Sequence, residues 1–115
     1  MARKFKSLTV SDGFKAFVLD QLEELGGVTP RAMFGGVGLY QRGIFFGLLA
    51  RDRLYLKVGD LNRADYERAG SETFTPYPGR KSKGTKKYRA VPLEVLESAP
   101  ELARWARMAI AVADT

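Results

Sequence analysis

Residues 33–40 read Met33-Phe34-Gly35-Gly36-Val37-Gly38-Leu39-Tyr40, and the purpose of three glycines within positions 35–38 decides the fold. Glycines so spaced either cradle a phosphate with bare backbone N–H groups or let a strand bend and pass close to a neighbour. A dinucleotide-binding fingerprint needs G-x-G-x-x-G opening a helix, because the phosphate sits on the free N–H groups of the helix start. Here Gly36-Val37-Gly38 runs on into Leu39-Tyr40-Gln41, with no third glycine and no helical pattern. The block therefore reads as a bend or bulge inside a sheet. A second candidate, Gly79 to Lys86, sets threonine before lysine, the reverse of the phosphate-loop order, and continues into a strand pattern. Neither stretch reads as a nucleotide site.

Working outward, residues 28–58 read as three strands: Val28 to about Tyr40, Ile44 to Ala50, and Leu54 to Val58, with turns at Gln41-Arg42-Gly43 and Arg51-Asp52-Arg53. The third alternates, Leu54, Leu56 and Val58 on one face and Tyr55 and Lys57 on a wet one. The second, Ile44-Phe45-Phe46-Gly47-Leu48-Leu49-Ala50, has no polar residue on either face, so it is expected to be central and covered on both sides. Before these strands, Phe14, Phe17, Val18, Leu22 and Leu25 fall at helical spacing from Asp12, with Thr9 or Ser11 as cap and Gly26-Gly27 as stop. After them comes a short helix from the N-cap Asn62 to Ala69, ended by Gly70. Two strands, Thr73–Tyr77 and Lys87–Val91, are joined by a polar, basic stretch from Pro78 to Lys87. A single helical turn follows Pro92, and a last helix begins at Ser98, boxed by Glu101, with Leu102, Trp105, Ala106, Ala109 and Ala113 on its apolar face. Trp105 is expected to anchor the core beside Phe14, Phe17, Phe46 and Leu56.

The connections are too short for parallel crossovers between consecutive strands, so the predicted class is α+β. It is a two-layer fold with a mainly antiparallel five-stranded sheet and helices on one face, in the order α-β-β-β-α-β-β-α over a single domain, 1–115. Three helices on one side leave the second apolar face of residues 44–50 to be covered by something else. The expectation is a homodimer.

Composition narrows the chemistry. Cysteine and histidine are both absent, which excludes disulfides, thiol nucleophiles, Cys/His zinc sites and the side chain best suited to proton transfer near neutral pH. The carboxylates are scattered, with no metal-like cluster and no acid/base pair. No catalytic, cofactor or metal residue is therefore expected. No apolar run is long enough to span a bilayer and the basic N-terminus lacks the apolar core of a secretory signal, so the expected location is cytoplasmic, with no membrane partner.

The net charge of +6 equals the six cations of Arg80, Lys81, Lys83, Lys86, Lys87 and Arg89, ten residues that hold no acid. Two readings of this segment stand. One is a solvated loop that keeps a sheet edge soluble; the other is a patch that attracts phosphates, assisted by Arg3, Lys4 and Lys6, with Tyr40, Tyr55, Tyr77 and Tyr88 able to stack bases.

Met33-Phe34-Gly35-Gly36, Gly38-Leu39-Tyr40, Gly43, Phe46, Leu54-Tyr55-Leu56-Lys57, Gly70-Ser71, Phe74, Val91-Pro92, Leu102 and Trp105-Ala106 together resemble the TfoX/Sxy N-terminal domain, with order and spacing intact from the first helix to the last. The resemblance implies a secretion-chaperone-like two-layer fold in which the glycine block belongs to the sheet. Members that regulate natural competence carry a second, helical C-terminal domain, and this sequence resembles the stand-alone ones. The function so implied is a non-enzymatic regulatory or adaptor domain acting through protein contacts in competence-like transcriptional regulation, with Lys57, Arg63 and Tyr55 as candidate partner-binding residues. Direct low-specificity nucleic-acid binding through residues 80–89 is the alternative. A small-ligand or enzymatic role at the glycine block is the third.

Overall fold

The computed structural model describes residues 8–75 and 85–114, the backbone alone at 85 and 86. Helix α1 spans Asp12–Gln21, and Ser11 caps it by accepting the Phe14 N–H at 3.1 Å. A 3-10 turn, Glu23–Leu25, carries the chain to Gly26 and Gly27, both at positive φ. Four strands follow as a meander: β1 Val28–Met33, β2 Gly36–Gln41, β3 Ile44–Ala50 and β4 Arg53–Lys57. Each connection leaves two residues between paired partners, Met33 with Gly36, Gln41 with Ile44, and Ala50 with Arg53. Both residues of every connection lie at positive φ: Phe34 and Gly35, Arg42 and Gly43, Arg51 and Asp52. These are the tight hairpin turns whose twist matches that of the strands they join.

The expected long strand from Val28 to Tyr40 is thus two strands, and the sheet has six rather than five. The Phe34-Gly35 turn reverses the chain between them. Helix α2, Arg63–Ala69, ends at Gly70 in the left-handed conformation and leads to the two-residue β5, Thr73–Phe74. Strand β6, Thr85–Ala90, inserts between β4 and β5, so the sheet order is β1-β2-β3-β4-β6-β5 with every neighbouring pair antiparallel. The short helix α3, Leu93–Leu96, and the long helix α4, Ala99–Ala113, complete the chain. The Ser98 Oγ accepts the Glu101 N–H at 3.4 Å, while the Glu101 carboxylate turns to Arg104 at 3.0 Å instead of closing the box. That guanidinium holds the Glu101 carboxyl below its usual range.

The main core lies between the sheet and the helices. Val37 and Leu39 of β2, Phe46 and Leu49 of β3, and Leu54 and Leu56 of β4 point into it and meet Val18, Leu22, Leu102, Ala106 and Ala109. The α4 residues Ala103, Ala106 and Ala109 are fully buried, short side chains that let the helix lie close on the sheet. Trp105 packs edge-on against Tyr66 of α2, ring centroids 4.8 Å apart, and its expected neighbours Phe46 and Leu56 are fully buried. Phe17 is 41% exposed and stands outside the core. The buried line of α1 is Phe14, Val18 and Leu22, four residues apart, and Phe17 lies about 100° around the helix from Val18. Asn62 also departs from expectation. Rather than capping α2 with its side chain, it is buried and ties the preceding loop, accepting from the Gly59 N–H at 2.8 Å and donating to the Lys57 carbonyl at 3.0 Å.

Between Leu39 and Tyr40 the β2–β3 register shifts: Leu39 faces Gly47 and Tyr40 faces Phe45. Phe46 is therefore the extra residue of a β-bulge, turned into the main core. The bulge places the alternation of β3 so that Phe45, Leu48 and Ala50 all reach the opposite face.

Candidate interaction surface

All helices with core residues contact one side of the sheet, so among the described residues the other side is covered only by what the strands and their flanks provide. That face has its own apolar cluster, Leu48, Ala50, Tyr55 and Phe74, with Leu8, Phe45, Tyr88 and Ala90 packed around it. Alternation along β2 puts Gly36, Gly38 and Tyr40 here, opposite Val37 and Leu39. Gly36 lies in the lining of a hollow on this face, while Gly38 lets Met33, Tyr40 and Phe45 close over the backbone. A Cβ at Gly36 would stand 2.5 Å from the Leu49 carbonyl oxygen, and one at Gly38 2.8 Å from the Met33 sulfur. The glycine block is thus a place of close approach within the sheet, and it hollows the surface above it. The hollow is an open groove of about 320 Å³ walled by Leu8, Met33, Phe34, Phe45, Phe74 and Tyr88.

One flank of the groove is a row of rings that crosses the sheet. Tyr40 of β2 meets Phe45 of β3 at 5.1 Å between centroids, and Phe45 meets Tyr88 of β6 at 5.7 Å. Each end carries a cation on a ring. The Arg31 guanidinium sits 5.2 Å from the Tyr40 centroid and the Lys57 ammonium 5.0 Å from that of Tyr88. Such placements attract through the ring quadrupole and hold the charge near the apolar surface. Burial raises the Tyr88 hydroxyl above its ordinary pKa, and neighbouring Tyr40 raises it further. At neutral pH Tyr88 is uncharged.

Phe34 stands at the rim, 81% exposed and at φ +50°. The first position of this turn type favours Asn, Asp or Gly, and a residue with Cβ in the left-handed region is strained by about 1–2 kcal/mol. Phe34 gains little burial to offset that strain. Phe34 is thus an exposed aromatic residue in a strained turn position.

The residues singled out in the sequence divide sharply. Lys57 lies on this face, half-buried against Tyr88. Tyr55 is on the same face but 4% exposed, packed edge-on to Phe74 at 5.0 Å, so the expected wet side of β4 is a second core and Tyr55 presents no ring to a partner. Arg63 is on the exposed start of α2, paired with Asp60 at 2.7 Å. Arg89 belongs to the fold: its side chain, 11% exposed, donates to the Ser71 carbonyl at 2.6 and 3.2 Å and to Glu67 at 2.8 Å, joining β6 to the end of α2. Lys87 is exposed on β6. Arg80, Lys81, Lys83 and Tyr77, the side chain of Lys86, and Arg3, Lys4 and Lys6 lie outside the described residues. Arg31, Phe34 and Phe45 escaped the sequence reading. The available signal was Phe34, an apolar residue in a turn position that calls for Asn, Asp or Gly.

Among the described residues no three potential metal ligands cluster, and no helix is long and apolar enough to cross a membrane.

Comparison with known proteins points in one direction. Residues 20–113 match the TfoX N-terminal domain. A stretch of 53 residues, 46% of this chain, is 40% identical to the DNA transformation protein TfoX1 of Aliivibrio fischeri (strain ATCC 700601 / ES114), and covers a quarter of that protein's length (25%).

Proposed function

The chain belongs to the TfoX N-terminal domain family, and on that premise we propose that it is a non-enzymatic regulatory adaptor that works by protein contact in the control of DNA transformation. The observation that carries this reading is the open groove on the sheet face. Its lining holds no carboxylate, amine or thiol able to do acid–base or nucleophilic work, and apolar surface of this kind is what a protein partner buries. The homodimer expected from β3 would cover the same face. A photoreactive benzoylphenylalanine placed at Phe34, with one at Leu93 as control, tests the reading in cells. Leu93 is 64% exposed and follows β6 on the helical side of the chain. The expected result is a discrete protein adduct from position 34 and none from 93, its mass separating self-adducts from those with another protein. Equal, diffuse labelling at both positions would count against an adaptor face.

A second reading, direct nucleic-acid binding, is favoured by the distribution of charge. Among the described residues the six strands carry no carboxylate at all, although the chain has thirteen. With Arg89 held by Glu67 and Ser71, at most five cations of residues 80–89 are left to meet phosphates. In anisotropy of labelled duplex DNA across a salt series, residues 80–89 should then contribute no more than about −4.5 to the log–log slope. Flat traces at low salt would remove this reading.

A further inference from the structure

The groove, the ring row and the two cations form one surface, and the chemistry of that surface selects its occupant. Resting on the adaptor reading, we propose that it docks an acidic peptide segment of another protein. One bulky apolar side chain of the segment sits in the groove beside Phe34 and Phe45, and carboxylates meet Arg31 and Lys57.

The size fits. A cavity of about 150 Å³ takes up benzene, so an open groove of about 320 Å³ has room for one or two large side chains. The lining fits too: Leu8, Met33, Phe34, Phe45 and Phe74 are apolar, and the Tyr88 hydroxyl is the one polar side-chain group among the lining residues. A nucleobase buried there would lose water from several polar edges with only the Tyr88 hydroxyl to replace it, whereas leucine or phenylalanine leaves no polar group stranded.

Charge supplies the third argument. Arg31 and Lys57 rest on rings, and among the described residues neither is ion-paired with a carboxylate. The carboxylates of the described chain lie on helices, turns and the loop before β5, so nothing acidic on the strands competes for these cations. A second copy seated symmetrically would bring the same cations, and no strand carboxylate, to the contact, an excess of like charge that opposes association. Acidic side chains reverse that sign. Phe34, exposed and strained, completes the rim as an aromatic anchor of the type that dominates protein contacts.

The test uses the purified full chain and a phage-displayed library of random 12-residue peptides, followed by anisotropy of a recovered peptide made synthetically with a fluorescein label. Enriched sequences are expected to combine Asp or Glu with Leu, Phe or Trp. The double variant Arg31→Glu/Lys57→Glu, and separately Phe34→Ser, should each weaken the labelled peptide at least tenfold. Arg107→Glu on α4 should leave it unchanged. Thermal melts of each variant close to the parent show that the fold is intact. Enriched peptides lacking acids, sensitive to Phe34→Ser but not to charge reversal, would overturn the acidic chemistry and leave the adaptor reading standing. No enrichment, or binding indifferent to Phe34→Ser, would overturn both. Displacement of the peptide by an equal concentration of a twelve-residue single-stranded thymidine oligonucleotide would assign the face to nucleic acid instead. A dimer in sedimentation that Arg31→Glu strengthens would assign it to a second copy.

Discussion

Replacing Arg89 by methionine separates a cation that holds the fold from one that binds a ligand. The methionine keeps most of the buried stem and removes only the guanidinium, which donates twice to the Ser71 carbonyl, at 2.6 and 3.2 Å, and once to Glu67, at 2.8 Å. A hydrogen bond from a charged donor contributes about 1.5–3 kcal/mol, and losing it strands a carbonyl at the junction of α2 and β5. The Glu67 side chain is 60% exposed, so solvent screens that pair and it adds only about 0.2–1 kcal/mol. The expected loss is therefore about 2–4 kcal/mol, or roughly 10 °C in melting temperature for a domain of this size. Urea unfolding followed by circular dichroism measures it, with an unchanged m-value showing that the same surface is exposed. Lys87→Gln, two residues away on the same strand but at the surface, should change stability by less than about 0.5 kcal/mol. If Arg89→Met is as mild as Lys87→Gln, the guanidinium is not a structural tie and returns to the set of candidate anion-binding cations.

Tyr66 is 1% exposed and, among the described residues, its hydroxyl is buried without a hydrogen-bond partner, so Tyr66→Phe should raise stability at neutral pH by about 1 kcal/mol, checked by the same unfolding curves. Burial, reinforced by Asp65, also raises its pKa above the ordinary 10.0. The folded state then keeps a proton the unfolded state gives up, so stability is full below about pH 10 and falls above it by up to about 1.4 kcal/mol per pH unit. That alkaline slope should shrink in Tyr66→Phe, and an identical slope would place the titration elsewhere. Trp105→Ala removes the ring packed on Tyr66 and should cost about 3–5 kcal/mol; an unchanged melting temperature would sink the assignment of this residue to the core. Gly36→Ala brings a methyl toward the Leu49 carbonyl, a backbone atom that cannot swing aside, and should destabilise by about 1–3 kcal/mol. A thermal melt equal to the parent would show that β2 has slack there.

By itself the sequence determined what local physics decides. Alternation assigned Leu54, Leu56 and Val58 to a common face, helical spacing found the buried side of α4, and cap residues such as Ser11, Gly70 and Ser98 marked helix ends. Each of these signals is carried by residues within a few positions of one another. Where local signals competed, the reading failed. The run from Val28 to Tyr40 keeps strand-like residues on both sides of Phe34-Gly35, and the turn between them has only one of the residues its geometry favours. The candidate site was legible in its glycines, in Lys57 and in its excess of cations, but not as a surface. Tyr55 and Lys57 alternate onto the same face, yet only the approach of Phe74, nineteen residues after Tyr55, makes one buried while the other stays at the edge. Arg89 sits in a basic run that looks uniform from end to end. Its separate fate follows from the register of β6 on β4, Leu56 opposite Arg89, which turns its side chain beneath the end of α2 while Tyr88 joins the rings on the other face. Register and layer packing bring together residues far apart in the chain, and no short-range pattern encodes which of two equal cations will find a carbonyl waiting for it.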